Sequence, residues 1–239
     1  MEMDLNAPAD PDTDRATATG GDNEPAAGQA TGPSGPLGVA AKPPGIRVPM
    51  IAEADAKGAT AAMYAQVKAA LGLPFVPDMF RLTSTRPDLL GVVLTGYAGM
   101  FGGGVLSRQD KEIISAWTSK LNGCTYCVGT HNWFLVQFGG SAELAEAIMN
   151  SATVEELPLE PKYLPLMRLV SKVSTAAYQV TDQDWEQAAA AGWSDAELLE
   201  AVFCASLFNF INRLVDATGL GATVQSAISK QGSAAGSVN

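Results

Sequence analysis

The sequence predicts an all-α fold, and three observations carry that prediction. Strand signals are nearly absent: β-branched residues seldom alternate in runs, and no Asn-Gly turn lies between such runs. Apolar residues instead recur at helical spacing through most of the chain beyond residue 45. Three hydroxyl residues are each followed three positions later by an acid: Ser107 by Asp110, Thr181 by Asp184, and Ser194 by Glu197. That is the pattern of a capping box, which opens a helix by satisfying its free N–H groups. Together these signals predict about eight to ten helices between residues 46 and 230.

Residues 1–45 differ from the rest. They hold seven acids (Glu2, Asp4, Asp10, Asp12, Asp14, Asp22, Glu24), two bases (Arg15, Lys42) and no Phe, Trp or Tyr. Such a segment buries too little apolar surface to offset its ordering entropy, so it reads as a disordered acidic Pro/Gly-rich tail. It has no apolar h-region and is not a signal peptide. Its role is that of a solubilising extension or of a docking segment for an unknown partner.

The helical domain is expected over residues 46–230. Ala54 to Leu71 is Ala-rich, with Met63, Val67 and Leu71 on one stripe. Leu89 to Ser107 carries no charge, as a membrane span would. The triplet Gly102-Gly103-Gly104 ends any helix there, short of the ~20 residues a span needs. Leu90, Val93, Leu94, Tyr97 and Phe101 recur as on a buried face, so the segment reads as a core helix of a soluble protein. The Ser107 box opens a helix through Ile113, Ile114, Trp117 and Leu121, stopped by Asn122-Gly123. Pro161 and Pro165 mark the start of another helix, running to about Ala177. The Ser194 box leads into a helix with Leu198, Leu199, Val202, Phe203, Leu207, Phe210 and Ile211. Residues 231–239 read as a loose C-terminus.

Composition narrows the function. The chain has 239 residues, 15 Lys and Arg, 25 Asp and Glu, three Cys and one His. The net charge of −10 lacks the basic footprint of a nucleic-acid binder. Three Cys cannot build a disulfide scaffold, and one His excludes a multi-His metal centre. Gly102-Gly103-Gly104 lacks the strand and the Lys-Ser/Thr of a phosphate loop, so no nucleotide cofactor is expected.

The informative segment is Glu112, then eleven residues, then Cys124-Thr-Tyr-Cys127-Val-Gly-Thr-His131. If a helix starts near Cys124, Cys127 and His131 are i, i+4 neighbours and Cys124 lies one turn earlier on the same face. A cysteine at a helix N-terminus meets the positive end of the dipole, which favours thiolate. His131 can take or give a proton at neutral pH. Glu112, on the preceding helix, can return across the Asn122-Gly123 turn to orient it. Three readings stay open on residues alone: a redox-active dithiol; a metal site of Cys124, Cys127 and His131 with Cys204 or Glu112; and two structural cysteines beside a satisfied His. Cys204, between Phe203 and Ala205, reads as a core residue. The aromatic residues Trp117, Trp133, Phe134, Phe138, Trp185 and Trp193 could suggest a ligand cavity but at helical spacing read as core or subunit interface. Asn209, Asn212 and Arg213 read as a helix-cap network or an intersubunit bond, with a role near the thiol pocket as the alternative.

Glu-x11-Cys-x2-Cys-x3-His resembles the active-site pattern of the alkylhydroperoxidase D-like group in the carboxymuconolactone decarboxylase-like superfamily. Ile46 to Met50, Met63-Tyr64, Pro77-Asp78-Met79-Phe80 and Arg86-Pro87-Asp88-Leu89 resemble the front of its peroxidase-related branch. Phe208-Asn209-Phe210-Ile211-Asn212-Arg213, with Asp216 and Gly219-Leu220, resembles its closing helix, so the likeness runs over about residues 46–222. It implies a cytoplasmic, membrane-free, helical thiol peroxidase that forms trimers or hexamers. By position Cys127 is the peroxidatic cysteine, Cys124 the resolving one, the two forming the redox disulfide, and His131 and Glu112 the proton relay. No bound cofactor or metal is implied. An external dithiol, from a donor protein or a small thiol, regenerates the pair. Tyr126 stands between the cysteines where alkylhydroperoxidase D proper has a second His, and is the auxiliary candidate. The alternatives are a dithiol–disulfide oxidoreductase acting on a protein or small disulfide, and a non-enzymatic helical binding module with structural cysteines.

Overall fold

The computed structural model describes residues 36–222. The acidic stretch before residue 36 and the C-terminus expected to be loose at 231–239 lie outside the described residues. Within them, nine α-helices follow a two-stranded antiparallel hairpin.

The hairpin is the main departure from expectation. Gly38–Ala41 (β1), read from sequence as the end of a disordered tail, pairs with Met50–Ala56 (β2). The register sets Gly38 against Ala56 and Ala41 against Met50, with an irregularity between Gly38 and Ala40. Gly38 sits at φ +121°, and a Cβ there would press into the Asp55 carbonyl, so glycine permits the pairing. β2 also displaces the start of the first helix. The helix expected from Ala54 begins instead at Gly58 and runs to Leu71 (α1), because Ala54–Ala56 are held in the strand. The strand is fastened by side chains: the Ile51 N–H donates to Ser84 Oγ at 2.9 Å, and its carbonyl accepts from Tyr64 Oη at 2.7 Å. These bonds satisfy the backbone of a short sheet that cannot do so alone.

Asp78–Arg81 (α2) is a single turn, followed by Pro87–Phe101 (α3) with Pro87 in the first turn, where its missing N–H costs nothing. Leu90, Val93, Leu94, Tyr97 and Met100 form its buried stripe. α3 ends at the Gly triplet, as the sequence reading expects. Gly104 turns at φ +112° against the Glu200 carboxylate, where a Cβ would collide.

Arg108–Leu121 (α4) is the axis of the domain. All ten residues from Asp110 to Ser119 are buried, and the Ser107–Asp110 capping box opens the helix. Thr125–Gln137 (α5) folds back against it. Ala142–Asn150 (α6), Tyr163–Ala176 (α7) and Asp182–Ala190 (α8) complete the surround. Asp195–Thr218 (α9) closes the fold against α4 and α7. The Thr181–Asp184 and Ser194–Glu197 capping boxes both form. Among the described residues α9 is the one helix long and apolar enough to cross a membrane. Leu198, Ala201, Cys204, Ala205, Phe208, Ile211 and Val215 nevertheless lie buried in the core. Arg47 Nη1 donates to the Asp216 and Ala217 carbonyls at the C-terminus of α9, tying the hairpin region to the last helix.

Candidate active site

α4 and α5 bring the motif together through one tight turn. Gly123 adopts φ +73° and Cys124 caps α5 from its N-terminal end. Asn122 Nδ2 donates to Asn209 Oδ1 at 3.1 Å and Asn212 Oδ1 at 2.9 Å, and Asn212 Nδ2 donates to Ser119 Oγ at 3.0 Å. Arg213 Nη1 donates to Asn209 Oδ1 at 2.8 Å. Asn209, Asn212 and Arg213 thus act as a cap network, and α9 fixes the turn that positions both cysteines.

Cys124, Cys127, His131 and Glu112 are all buried, with Glu112 and Cys124 completely so. Both cysteines are free thiols. A hydrogen bond to Cys127, reinforced by burial, pushes the Cys124 thiol far above the ordinary range. Cys124 therefore keeps its proton at neutral pH.

His131 lies one turn beyond Cys127 and is held at both ring nitrogens. Nδ1 meets Glu112 Oε2 at 2.6 Å, and Nε2 meets Tyr97 Oη at 2.9 Å. The other Glu112 oxygen accepts from Arg108 Nε at 2.6 Å. The buried carboxyl is thus paired on both oxygens. The imidazole packs against the edge of Phe208 at 4.5 Å and stacks over Phe101 at 6.1 Å between ring centroids. Arg108 is itself sandwiched, its guanidinium 4.4 Å from the Phe101 ring and 4.2 Å from that of Phe138.

These groups line a pocket of about 50 Å³, whose wall includes Cys127, His131, Tyr97, Tyr126, Arg108 and Thr130 among apolar rings. It exceeds the ~10–15 Å³ that a single water needs. Cys127 opens into it; Cys124 is not part of the wall. Tyr126 also lines it. Burial raises its phenol well above the ordinary range.

The structure brings Cys127 and His131 to one pocket with Glu112 bonded behind the imidazole, and leaves Cys124 outside the pocket wall. Cys204 is placed apart from them: its Sγ lies 3.5 Å from Ser115 Oγ and 3.7 Å from the Lys111 carbonyl, and burial pushes its thiol up to about 12. Trp117 and Trp193 are core residues, each with its indole N–H satisfied. Phe134 and Phe138 are a correction, since they face the pocket as well as packing with neighbours. Sequence reasoning missed Tyr97 and Arg108 as site residues. Tyr97 carried a signal only as one member of the apolar stripe of α3. Arg108 lies four residues before Glu112, the i, i+4 spacing of an ion pair.

Residues 87–169 match the model of the carboxymuconolactone decarboxylase family. The matched segment contains all four motif residues. The chain has the alkylhydroperoxidase D-like fold. An uncharacterised peroxidase-related protein from Ralstonia eutropha JMP134, described as an alkylhydroperoxidase AhpD core, superposes with a TM-score of 0.66 at 22% identity, covering 74% of this chain and 92% of that one. An uncharacterised peroxidase-related protein from Silicibacter sp. TM1040 gives 0.59 at 22% identity, with coverage of 66% and 82%. The debrominase Bmp8 gives 0.57 at 15% identity, with coverage of 72% and 88%. No curated protein matches the sequence. The superfamily resemblance read from the motif thus agrees with both the family model and the fold.

Proposed function

We propose that the protein is a thiol peroxidase reducing hydrogen peroxide or an alkyl hydroperoxide. The observation that carries this is the opening of Cys127 into a small pocket shared with a His131 that is hydrogen-bonded to buried Glu112. The Cys127 thiolate attacks the near oxygen of the peroxide. An S–O bond forms, the O–O bond breaks, and the departing oxygen takes a proton from the pocket. Cys127 becomes a sulfenic acid. Cys124 then attacks that sulfur, forming the disulfide and releasing water. An external dithiol, oxidised in turn to its disulfide, returns both thiols by exchange. Nothing in this cycle calls on a metal or an organic cofactor.

Burial of Cys124 and near-burial of Cys127 favour a small substrate over a protein disulfide. The alternative of purely structural cysteines is disfavoured by the pocket, because a structural pair gains nothing from a cavity beside it. The proposal retains the cytoplasmic, membrane-free setting and the trimeric or hexameric assembly that the resemblance implies. Leu199, Phe203 and Phe210, exposed along one side of α9, support an assembly, and light scattering that finds a monomer would overturn it.

Dithiol-dependent peroxide consumption tests the activity. Stoichiometric peroxide should remove two hydrogens from the intact mass, and dithiol should restore them. Cys124→Ser should accumulate a sulfenic acid at Cys127. Unreactive native thiols and no consumption would sink the reading. Bmp8 has been solved in complex with 2,3,4-tribromopyrrole as a Cys-to-Ala variant. Bromide release from that compound without peroxide turnover would move the substrate from a peroxide to an organohalide.

A further inference from the structure

The motif places a tyrosine, Tyr126, where a second relay histidine would stand. The atom that meets His131 Nε2 is instead the hydroxyl of a different tyrosine, Tyr97 on α3, thirty-four residues earlier. We propose that Tyr97 is the positioning residue of this site: its hydroxyl fixes His131 as the neutral tautomer with the proton on Nδ1 and the lone pair on Nε2. The role in turnover rests on the thiol peroxidase reading above; the tautomer does not.

The argument is one of donors and acceptors. At 2.6 Å, a proton must lie between Nδ1 and Glu112 Oε2, and a carboxylate already bonded to Arg108 has only acceptors to offer. Nδ1 therefore donates. In a neutral imidazole the other nitrogen then has a lone pair and needs a donor. Tyr97 Oη, at 2.9 Å, supplies it. Burial keeps that phenol protonated, and the nearby Glu112 charge reinforces the effect. The Tyr97 ring cannot easily leave. It packs edge-on against Phe80 at 5.3 Å and Phe208 at 6.0 Å, and lies 5.1 Å from Phe101. Around the imidazole the titratable and charged groups are Tyr97 on α3, Arg108 and Glu112 on α4, and Cys127 and Tyr126 on α5, while α9 presents the apolar Phe208.

The chain contains one histidine, so a ¹⁵N-histidine spectrum of the whole protein reports this ring alone. At neutral pH the wild type should show a protonated Nδ1 and an unprotonated Nε2. A protonated Nε2, alone or with Nδ1, overturns the proposal without any variant. Tyr97→Phe keeps the ring packing and should move the Nε2 resonance and mix the tautomers. It should lower kcat by about 10- to 100-fold with KM nearly unchanged, less than the ~10²–10⁴-fold of a lost acid–base group because Tyr97 acts through His131. Tyr126→Phe should leave the spectrum in place. If Tyr126→Phe moves the Nε2 resonance and Tyr97→Phe does not, the assignment is wrong. A wild type with the stated spectrum but no peroxide turnover supports the tautomer and defeats the peroxidase reading instead.

Discussion

Lys111 and Glu112 are neighbours on α4, both buried, and they diverge into two ionic clusters of different kinds. Lys111 Nζ donates to the Met100 carbonyl at 2.8 Å and to the Gly103 carbonyl, and it pairs with Glu200 Oε1 at 2.8 Å. Glu200 Oε2 in turn accepts the Val105 and Leu106 backbone N–H groups. Every donor of the ammonium is spent, and the cluster closes on itself to splint the Gly-rich turn after α3. The Glu112 cluster instead runs in a line from half-buried Arg108 through His131 to Tyr97 and ends at a cavity beside Cys127. A closed buried cluster has no donor left for a further partner. A line that ends at a cavity has room for one more participant, and that difference, more than burial or charge, separates the site from the scaffold.

Substitutions should divide along this line. Cys127→Ser should abolish peroxide turnover, by more than about 10³-fold, while the melting temperature stays within a degree or two; residual turnover near wild type would break the contrast. Glu112→Gln should cost about 10²-fold in kcat through loss of the imidazole's anionic partner. Lys111→Met should do the reverse, destabilising by about 3 kcal/mol in urea titration by leaving Glu200 without its cation, with the rate per folded molecule little changed.

The pH dependence of stability should carry the signature of the closed cluster. Burial pushes the Glu200 carboxyl up, but the Lys111 ammonium and the two backbone donors outweigh it and leave the group below its ordinary value. A carboxyl depressed by folding adds stability that is present above its unfolded pKa and is lost as pH falls through the folded one. Urea midpoints should therefore fall below about pH 4.5, with a shallower loss in Lys111→Met; equal slopes would remove Glu200 from the account. The smallest effect concerns Cys204. With its thiol raised to about 12 by burial, it should escape alkylation in the native protein at neutral pH while Cys127 reacts.

Much of this was legible beforehand because the signals were local. The three capping boxes lie within four residues each, and all three form. The shared face of Cys124, Cys127 and His131 follows from helical spacing, and the return of Glu112 from the short Asn122-Gly123 turn. What escaped depends on contacts distant in sequence. Gly38–Ala41 has the composition of a tail and becomes a strand because Met50–Ala56 offers it an edge. The helix pattern from Ala54 ran into that strand, since alanine fits either state when backbone partners decide. Tyr97 belonged visibly to a buried stripe, but periodicity gives a face and not the atom opposite. Phe134 and Phe138 read as core because an aromatic that walls a cavity has the same spacing as one that fills it.

The bracket formed by Asn122, Asn209 and Asn212 has a consequence for how portable the chemistry is. The segment matching the family model ends at residue 169, before α9 begins. Yet α9 supplies the amides that set the cysteine turn and the Phe208 ring that braces His131. A miniature protein cut to the four motif residues and their two helices would inherit the letters of the site without its alignment. The motif works as an inscription on a larger instrument, and the helix nearest the end of the fold keeps that instrument in tune.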